Sequence, residues 1–268
     1  MSHSDLYVEV DRSAYTNALA ENSPVTKTFF ALSALILCVS ALSARAFIVP
    51  IILFIICTTL TLGLAKVKPH LYLNMFIYPT FMIILSCIFI ALFFGVGEPL
   101  TQITLPWTIW TIHKSGISMA LNIFFSVMGS LSCLFFLVLT TSITDLSLLL
   151  RRVHVPTVLV ELAILIYRYI FMFMEISHTM TTAQKLRLGG TGWMKKIREV
   201  SLLAGNLFIR TLEQGERTFV AMNARGYDGN IYALEEFPKP KKTMIAAIIL
   251  FDILIVAVIF LTLNIGVI

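Results

Sequence analysis

The sequence predicts an all-α, polytopic membrane protein with about five transmembrane helices and a cytoplasmic helical domain. Three observations predict it. Hydrophobic residues make up 58% of the 268 residues and charged residues 13%, with a mean hydropathy of +0.89. A soluble globular chain carries roughly 25% charged residues, so about half of the usual solvating groups are missing. Five apolar stretches approach or exceed the roughly 20 residues that a helix needs to cross the hydrocarbon core. With those five spanning and the N-terminus inside, 18 of the 20 Lys and Arg residues fall on the cytoplasmic side. The same composition excludes disorder, because disordered chains are poor in apolar residues.

Residues 1–27 are polar and read as a cytoplasmic N-terminal segment. Asp5, Glu9, Asp11 and Glu21 give this segment the wrong charge for the n-region of a signal peptide. Residues 28–143 hold four spans, at 28–44, 46–65, 71–95 and 117–140. Only Arg45 separates the first two, which predicts a tight helical hairpin. Pro79 predicts a kink in the third. In the fourth, Ser126, Gly129, Ser130 and Ser132 suit close helix packing. The last span, 244–267, lies within the C-terminal segment 243–268. Its Asp252 is expected near the cytoplasmic surface, within snorkelling reach of Lys241 or Lys242. Cys38, Cys57, Cys87 and Cys133 each sit in an apolar run without Cys-x-x-Cys spacing. They read as small buried hydrophobes rather than a disulfide framework or a zinc site.

A sixth stretch, 157–176, is apolar but carries Glu161, Arg168 and Glu175. A spacing of seven returns a helix to within about 20° of two full turns, so the three charges share one narrow stripe. Each charge at the centre of a span costs about 2.5–3.5 kcal/mol. If this stretch crossed the membrane, most of the basic residues after it would lie outside, against the positive-inside rule. With only the five clean stretches spanning, the outside holds just Arg45 and Lys114. Residues 144–242 are therefore expected to be cytoplasmic, with Glu161, Arg168 and Glu175 as structural ion pairs. The competing reading is a self-contained secondary ion transporter or channel that uses these three residues as an intramembrane relay. Such a transporter usually repeats across its spans, and the repeat in this sequence lies in the cytoplasmic helices instead. An intramembrane enzyme would need converging nucleophiles or carboxylates, which the spans almost lack. The net charge of +5 and pI of about 9.1 follow from topology and imply no nucleic-acid partner.

Within the cytoplasmic segment, Asp145 is expected to N-cap a short helix at 146–153, with Arg151 and Arg152 as an interfacial anchor. Pro156 opens a helix over 157–188, about 48 Å long at 1.5 Å per residue. Gly189-Gly190-Thr191-Gly192 stops it. A third helix covers 193–225, and Gly226 caps it. Trp193, Ile197, Val200, Ala204, Leu207 and Phe208 form one apolar stripe. Lys195, Arg198, Glu199, Arg210, Glu213, Glu216 and Arg217 fall on the other side. The two long helices end alike: Ala183-Gln-Lys-Leu-Arg187 precedes Leu188-Gly189, and Ala221-Met-Asn-Ala-Arg225 precedes Gly226. An Arg at a helix C-terminus can cap its own helix through the dipole, or offer a rigid carboxylate-binding fork to a partner. A pair of similar ends suggests a partner with two similar sockets, such as a dimer.

Several segments resemble the transmembrane T component of energy-coupling factor transporters, the EcfT/CbiQ family. They are Leu139-Thr-Thr-Ser-Ile-Thr-Asp145, Leu150-Arg-Arg-Val-His-Val-Pro156, Val160-Glu-Leu162, Tyr167-Arg-Tyr-Ile170, Ala183-Gln-Lys-Leu-Arg-Leu-Gly189, Leu202-Leu-Ala-Gly205 and Ala221-Met-Asn-Ala-Arg-Gly-Tyr-Asp-Gly229. Together with Asp11-Arg-Ser-Ala-Tyr-Thr-Asn17, they are most similar to the cobalt-uptake branch. The resemblance implies a non-catalytic scaffold in a prokaryotic cell membrane, for uptake of cobalt or nickel ions. Its implied partners are two ATP-binding cassette ATPase subunits, a substrate-binding membrane subunit of the CbiM type and a small accessory subunit of the CbiN type. ATP and Mg would be held by the ATPases, and this chain would bind no cofactor. By position, Arg187 and Arg225 are the docking arginines of two coupling helices, with Ala183, Leu186, Leu188, Gly189, Ala221, Ala224 and Gly226 beside them. The second motif is the full Ala-Arg-Gly, whereas the first reads Leu-Arg-Leu with glycine one place later. The sequence has no Gly-x-x-x-x-Gly-Lys-Ser/Thr loop for ATP. His3, His70, His113, His154 and His178 have no metal-ligand spacing, so the cargo ion's site is expected in the partner subunit.

Overall fold

In the computed structural model, which describes residues 3–19, 22–43, 47–94, 99–105, 108–186, 192–227 and 242–265, the long apolar stretches fold as helices. The elements are α1 (His3–Thr16), α2 (Pro24–Ser43), α3 (Ile48–Thr59) continued by a π-helical turn (Leu60–Leu64), α4 (Pro69–Phe93), strands β1 (Pro99–Leu105) and β2 (Thr108–His113), α5 (Lys114–Thr140), α6 (Ile143–Arg152), α7 (Thr157–Leu186), α8 (Trp193–Ala224) and α9 (Lys242–Ile265). The regular structure among the described residues is helical as expected, apart from an antiparallel hairpin that pairs Leu105 with Thr108 and Ile103 with Trp110. The sequence reading holds no strand there. Its Thr and Ile content favours one.

The chain divides into two units, Met1–Ser142 with Phe237–Ile268, and Ile143–Glu236. In the first, α5 is the central helix, and its small residues are what let neighbours close on it. A Cβ on Gly129 would lie 2.8 Å from the Pro50 carbonyl oxygen and 3.1 Å from Cys38 Sγ. Ser126 Oγ donates to the Cys38 carbonyl at 2.9 Å. The hydroxyls of Thr58, Tyr72 and Ser132 share hydrogen bonds of 3.0 and 3.3 Å. On this side of α5, Ala34, Cys38, Leu53, Cys57, Cys133 and Phe136 are buried, and Ile255 and Ile259 of α9 join them. On the other side, Leu71, Tyr72 and Phe76 of α4 pack on Phe135 and Leu139. The Phe76 and Phe135 rings meet edge-on at 4.8 Å, a geometry worth about 0.5–1.5 kcal/mol beyond burial alone. Away from this core, α4 turns Leu73, Ile77, Phe81, Leu85 and Phe89 outward.

Three findings bear on these expectations. The polar residues 3–19 and 22–27 pack into the unit: α1 packs on α5, and Asn17, Ser23, Thr26 and Lys27 are buried. Lys27 Nζ donates to the Thr140 carbonyl at 2.8 Å, and Asn17 Nδ2 reaches the Leu139 and Thr140 carbonyls at 3.3 and 3.4 Å. The last carbonyls of a helix have no partner within it, and a cation there is favoured by the dipole. This explains why a lysine is buried at this point. Asp252 accepts a hydrogen bond from Ser33 Oγ at 3.2 Å instead of reaching Lys242, because α9 lies against α2; Lys241 lies outside the described residues. Lastly, the helices long and apolar enough to cross a membrane are α2, α4, α5, α7 and α9, while Ile48–Leu64 is shorter. The expected set contains 46–65 and omits 157–176, an omission made on charge rather than on length and apolarity.

Candidate functional site: the ends of the long helices

The second unit begins with α6, which starts at Ile143 and so places Asp145 in its first turn rather than at the expected N-cap. The helix ends in a Schellman turn. Val155 N donates to the Leu150 carbonyl at 3.2 Å and His154 N to that of Arg151 at 3.3 Å. His154 takes the left-handed φ of +64° that this turn requires. The Pro156 carbonyl then accepts from Leu159 and Val160 N at 3.0 and 3.4 Å. Pro156 is therefore the residue just before α7, which starts at Thr157 as expected.

Helices α7 and α8 run antiparallel. Gln184 Nε2 donates to the Glu199 carbonyl at 3.4 Å, and nearer the other end the Tyr169 hydroxyl donates to Thr218 Oγ1. The half-buried residues of α8 are Glu199, Leu203, Leu207, Thr211, Gln214, Thr218 and Met222, spaced as one helical face. Of the predicted apolar stripe, only Leu207 belongs to it. Trp193, Ile197, Val200 and Phe208 are 78%, 47%, 64% and 65% exposed, and no α8 residue is fully buried. Contact with α7 thus takes one flank of the apolar face and leaves the rest open. On the polar side, a groove of about 730 Å³ between the helices is walled by Gln184, Asn206, Arg210, Glu213, Gln214 and Arg217. Arg217 Nη2 lies 4.0 Å from Glu213 Oε2, with both side chains largely exposed.

The Ala224-Arg225-Gly226 end has a clear local cause. Tyr227 N donates to the Met222 carbonyl at 3.1 Å and Gly226 N to that of Asn223 at 3.0 Å. Gly226 has φ +80°, a region that side chains with a Cβ rarely enter. This is a second Schellman turn. It places Arg225 at the last position of the helix, exposed, with φ −95° and ψ 9°. Ala221, Ala224 and Gly226 around it are exposed too. At the end of α7, Ala183 is exposed and Leu186 is 80% exposed. Arg187, Leu188 and Gly189 lie outside the described residues. Because the helices are antiparallel, their C-termini lie at opposite ends of the pair, and the 32 residues of α8 extend about 48 Å at 1.5 Å per residue.

The expected ion-pair stripe does not assemble. Glu161 is buried and accepts a hydrogen bond from the Tyr227 hydroxyl at 3.3 Å, whereas Arg168 and Glu175 are exposed. Among the described residues, no ion pair joins the three. Seven-residue spacing aligns charges along a helix, but their separation of two turns, about 10.5 Å, is too long for direct pairing. Tyr227 is the residue the sequence reading missed. Its signal is its place directly after the capping glycine, where a Schellman turn bends the chain back. Among the described residues, no three His, Cys, Asp or Glu side chains form a metal-binding group.

Fold and site together define a multi-pass membrane protein with a helical hairpin that exposes an arginine at a capped end. The family model of the CbiQ cobalt transport protein matches residues 21–234. An uncharacterized protein of Methanocaldococcus jannaschii is 36% identical over 253 residues, covering 94% of this chain and 93% of that protein. A putative fused cobalt transport protein CbiMQ of Methanocorpusculum labreanum is 33% identical over 233 residues, covering 85% of this chain and 38% of that protein. The cobalt transport protein CbiQ of Rhodobacter capsulatus is 32% identical over 118 residues, 44% of this chain and 48% of its own. The chain belongs to the CbiQ cobalt transport protein family.

Proposed function

We propose that this chain is the scaffold and coupling subunit of an energy-coupling factor transporter for cobalt or nickel ions. In this reading it catalyses nothing itself. Two ATP-binding cassette ATPases hold ATP and Mg, and a CbiM-type membrane subunit, with a CbiN-type accessory subunit, holds the ion. The observation that carries the reading is the end of α8, where Arg225 stands exposed on a glycine-capped helix. The end of α7 points the opposite way, so two similar sockets in an ATPase dimer would each receive one helix end. When ATP binding closes the dimer, the distance between the sockets changes and the two rods must tilt or slide. The open apolar face of α8 would pass that movement to the substrate-binding subunit. A fused CbiMQ relative supports a CbiM-type partner. With 46–65 spanning and 157–176 not, 18 of the 20 basic residues lie on one side, which supports a cytoplasmic N-terminus and cytoplasmic α6–α8 in a prokaryotic cell membrane.

The test is coexpression with candidate ATPase and CbiM-type subunits, followed by uptake of radiolabelled cobalt and nickel into proteoliposomes. Uptake should require ATP, both partners and this chain together. Ion movement by the purified chain alone would contradict the reading and favour a self-contained transporter.

A further inference from the structure

We propose that Glu161 is a positioning residue for Arg225: its buried carboxylate hooks Tyr227 and so ties the tip of α8 to the start of α7. The inference rests on the docking role given to Arg225 above. Glutamates are rarely buried unless paired, and Glu161 is only 5% exposed. Its Oε2 accepts the Tyr227 hydroxyl at 3.3 Å. Tyr227 is the last residue of the Schellman turn, its backbone N–H bonded to the Met222 carbonyl at 3.1 Å. Arg225 lies between these two fixed points and is itself exposed.

A Schellman turn alone fixes the backbone only relative to its own helix, and helix ends fray. A side-chain bond to a second helix removes that freedom. The direction in which the Arg225 fork leaves α8 is then set by both helices, and a load on Arg225 reaches α7 directly. The sequence shows why the two residues fit the task. Glu161 follows the start of α7 by about one turn, which an antiparallel partner brings beside the end of α8.

The experiment uses the full complex and reads the rate at which the ATPase subunits dissociate from it. Tyr227→Phe and Glu161→Ala should each speed dissociation roughly threefold to tenfold, the size expected for losing one hydrogen bond. Glu161→Gln keeps an acceptor oxygen and should restore the rate to within about twofold. The double variant Glu161→Ala/Tyr227→Phe should dissociate no faster than Glu161→Ala alone, since both remove the same bond. A general structural role would not give this rescue and non-additivity. Wild-type dissociation of Tyr227→Phe, or additive effects in the double variant, overturns the hook while docking through Arg225 stands. If Arg225→Glu itself leaves the ATPases bound, the docking reading fails and the hook falls with it.

Discussion

Helices α5 and α8 are of similar length, 27 and 32 residues, and they meet the problem of packing in opposite ways. Along α5, Gly129, Ser126 and Ser132 admit other helices closely, and Cys133, Phe136 and Leu139 are buried among them. Along α8, no residue is fully buried, and Trp193, Val200 and Phe208 stand open. The small-residue face of α5 is covered within its own chain, while Met119, Leu121 and Leu134 elsewhere on the helix are exposed. The apolar face of α8 is not covered in this way, and large exposed apolar faces mark sites covered by lipid or another protein. Mutations on the packed face of α5 should therefore act on the stability of this chain, and mutations on α8 on assembly.

Variants can break or sharpen that contrast. The largest effect is expected for Gly129→Leu, whose side chain would collide with Pro50 and Cys38; overpacking of this kind costs about 3 kcal/mol. Thermal unfolding in detergent should show a clear loss, and a wild-type midpoint would refute the packing role. Lys27→Met should cost about 1–3 kcal/mol, because the Thr140 carbonyl loses a charged donor at the end of α5. The same melting measurement reads it. Gly226→Ala should cost about 1 kcal/mol through its left-handed φ. The effect should be confined to the end of α8, seen as faster amide exchange over residues 222–227 with little change in global melting. The smallest effect is expected for Phe208→Ser, within about 0.5 kcal/mol for the isolated chain. A large loss of intrinsic stability there would mean that α8 is packed within its own chain after all.

Much of this was legible before the structure. Length and composition set the helical membrane architecture, and Gly192 and Gly226 flank α8 at positive φ because glycine breaks or caps helices for local reasons. The close-packing role of Gly129 and its serine neighbours could be read from residue size alone. Other features depended on tertiary context. Lys27 counts in the sequence only as a cytoplasmic basic residue, and its burial follows from the carbonyls of α5 beside it. Glu161, Arg168 and Glu175 look alike in spacing, yet only Glu161 meets the end of α8. The hairpin of β1 and β2 is short, and its pairing depends on neighbouring strands rather than on helical periodicity. The sequence shows α8 as two-faced, but which flank meets α7 follows from the crossing of the two helices.

The most direct test of the account is copurification of the two ATPase subunits with the Arg187→Glu/Arg225→Glu variant of this chain, inserted in the membrane at wild-type level. Charge reversal at a docked arginine leaves its partner groups unpaired and repelled, so the ATPases retained should fall roughly tenfold or more, with cobalt uptake lost. Normal ATPase retention by this variant would contradict the claim that the ends of α7 and α8 are the docking points.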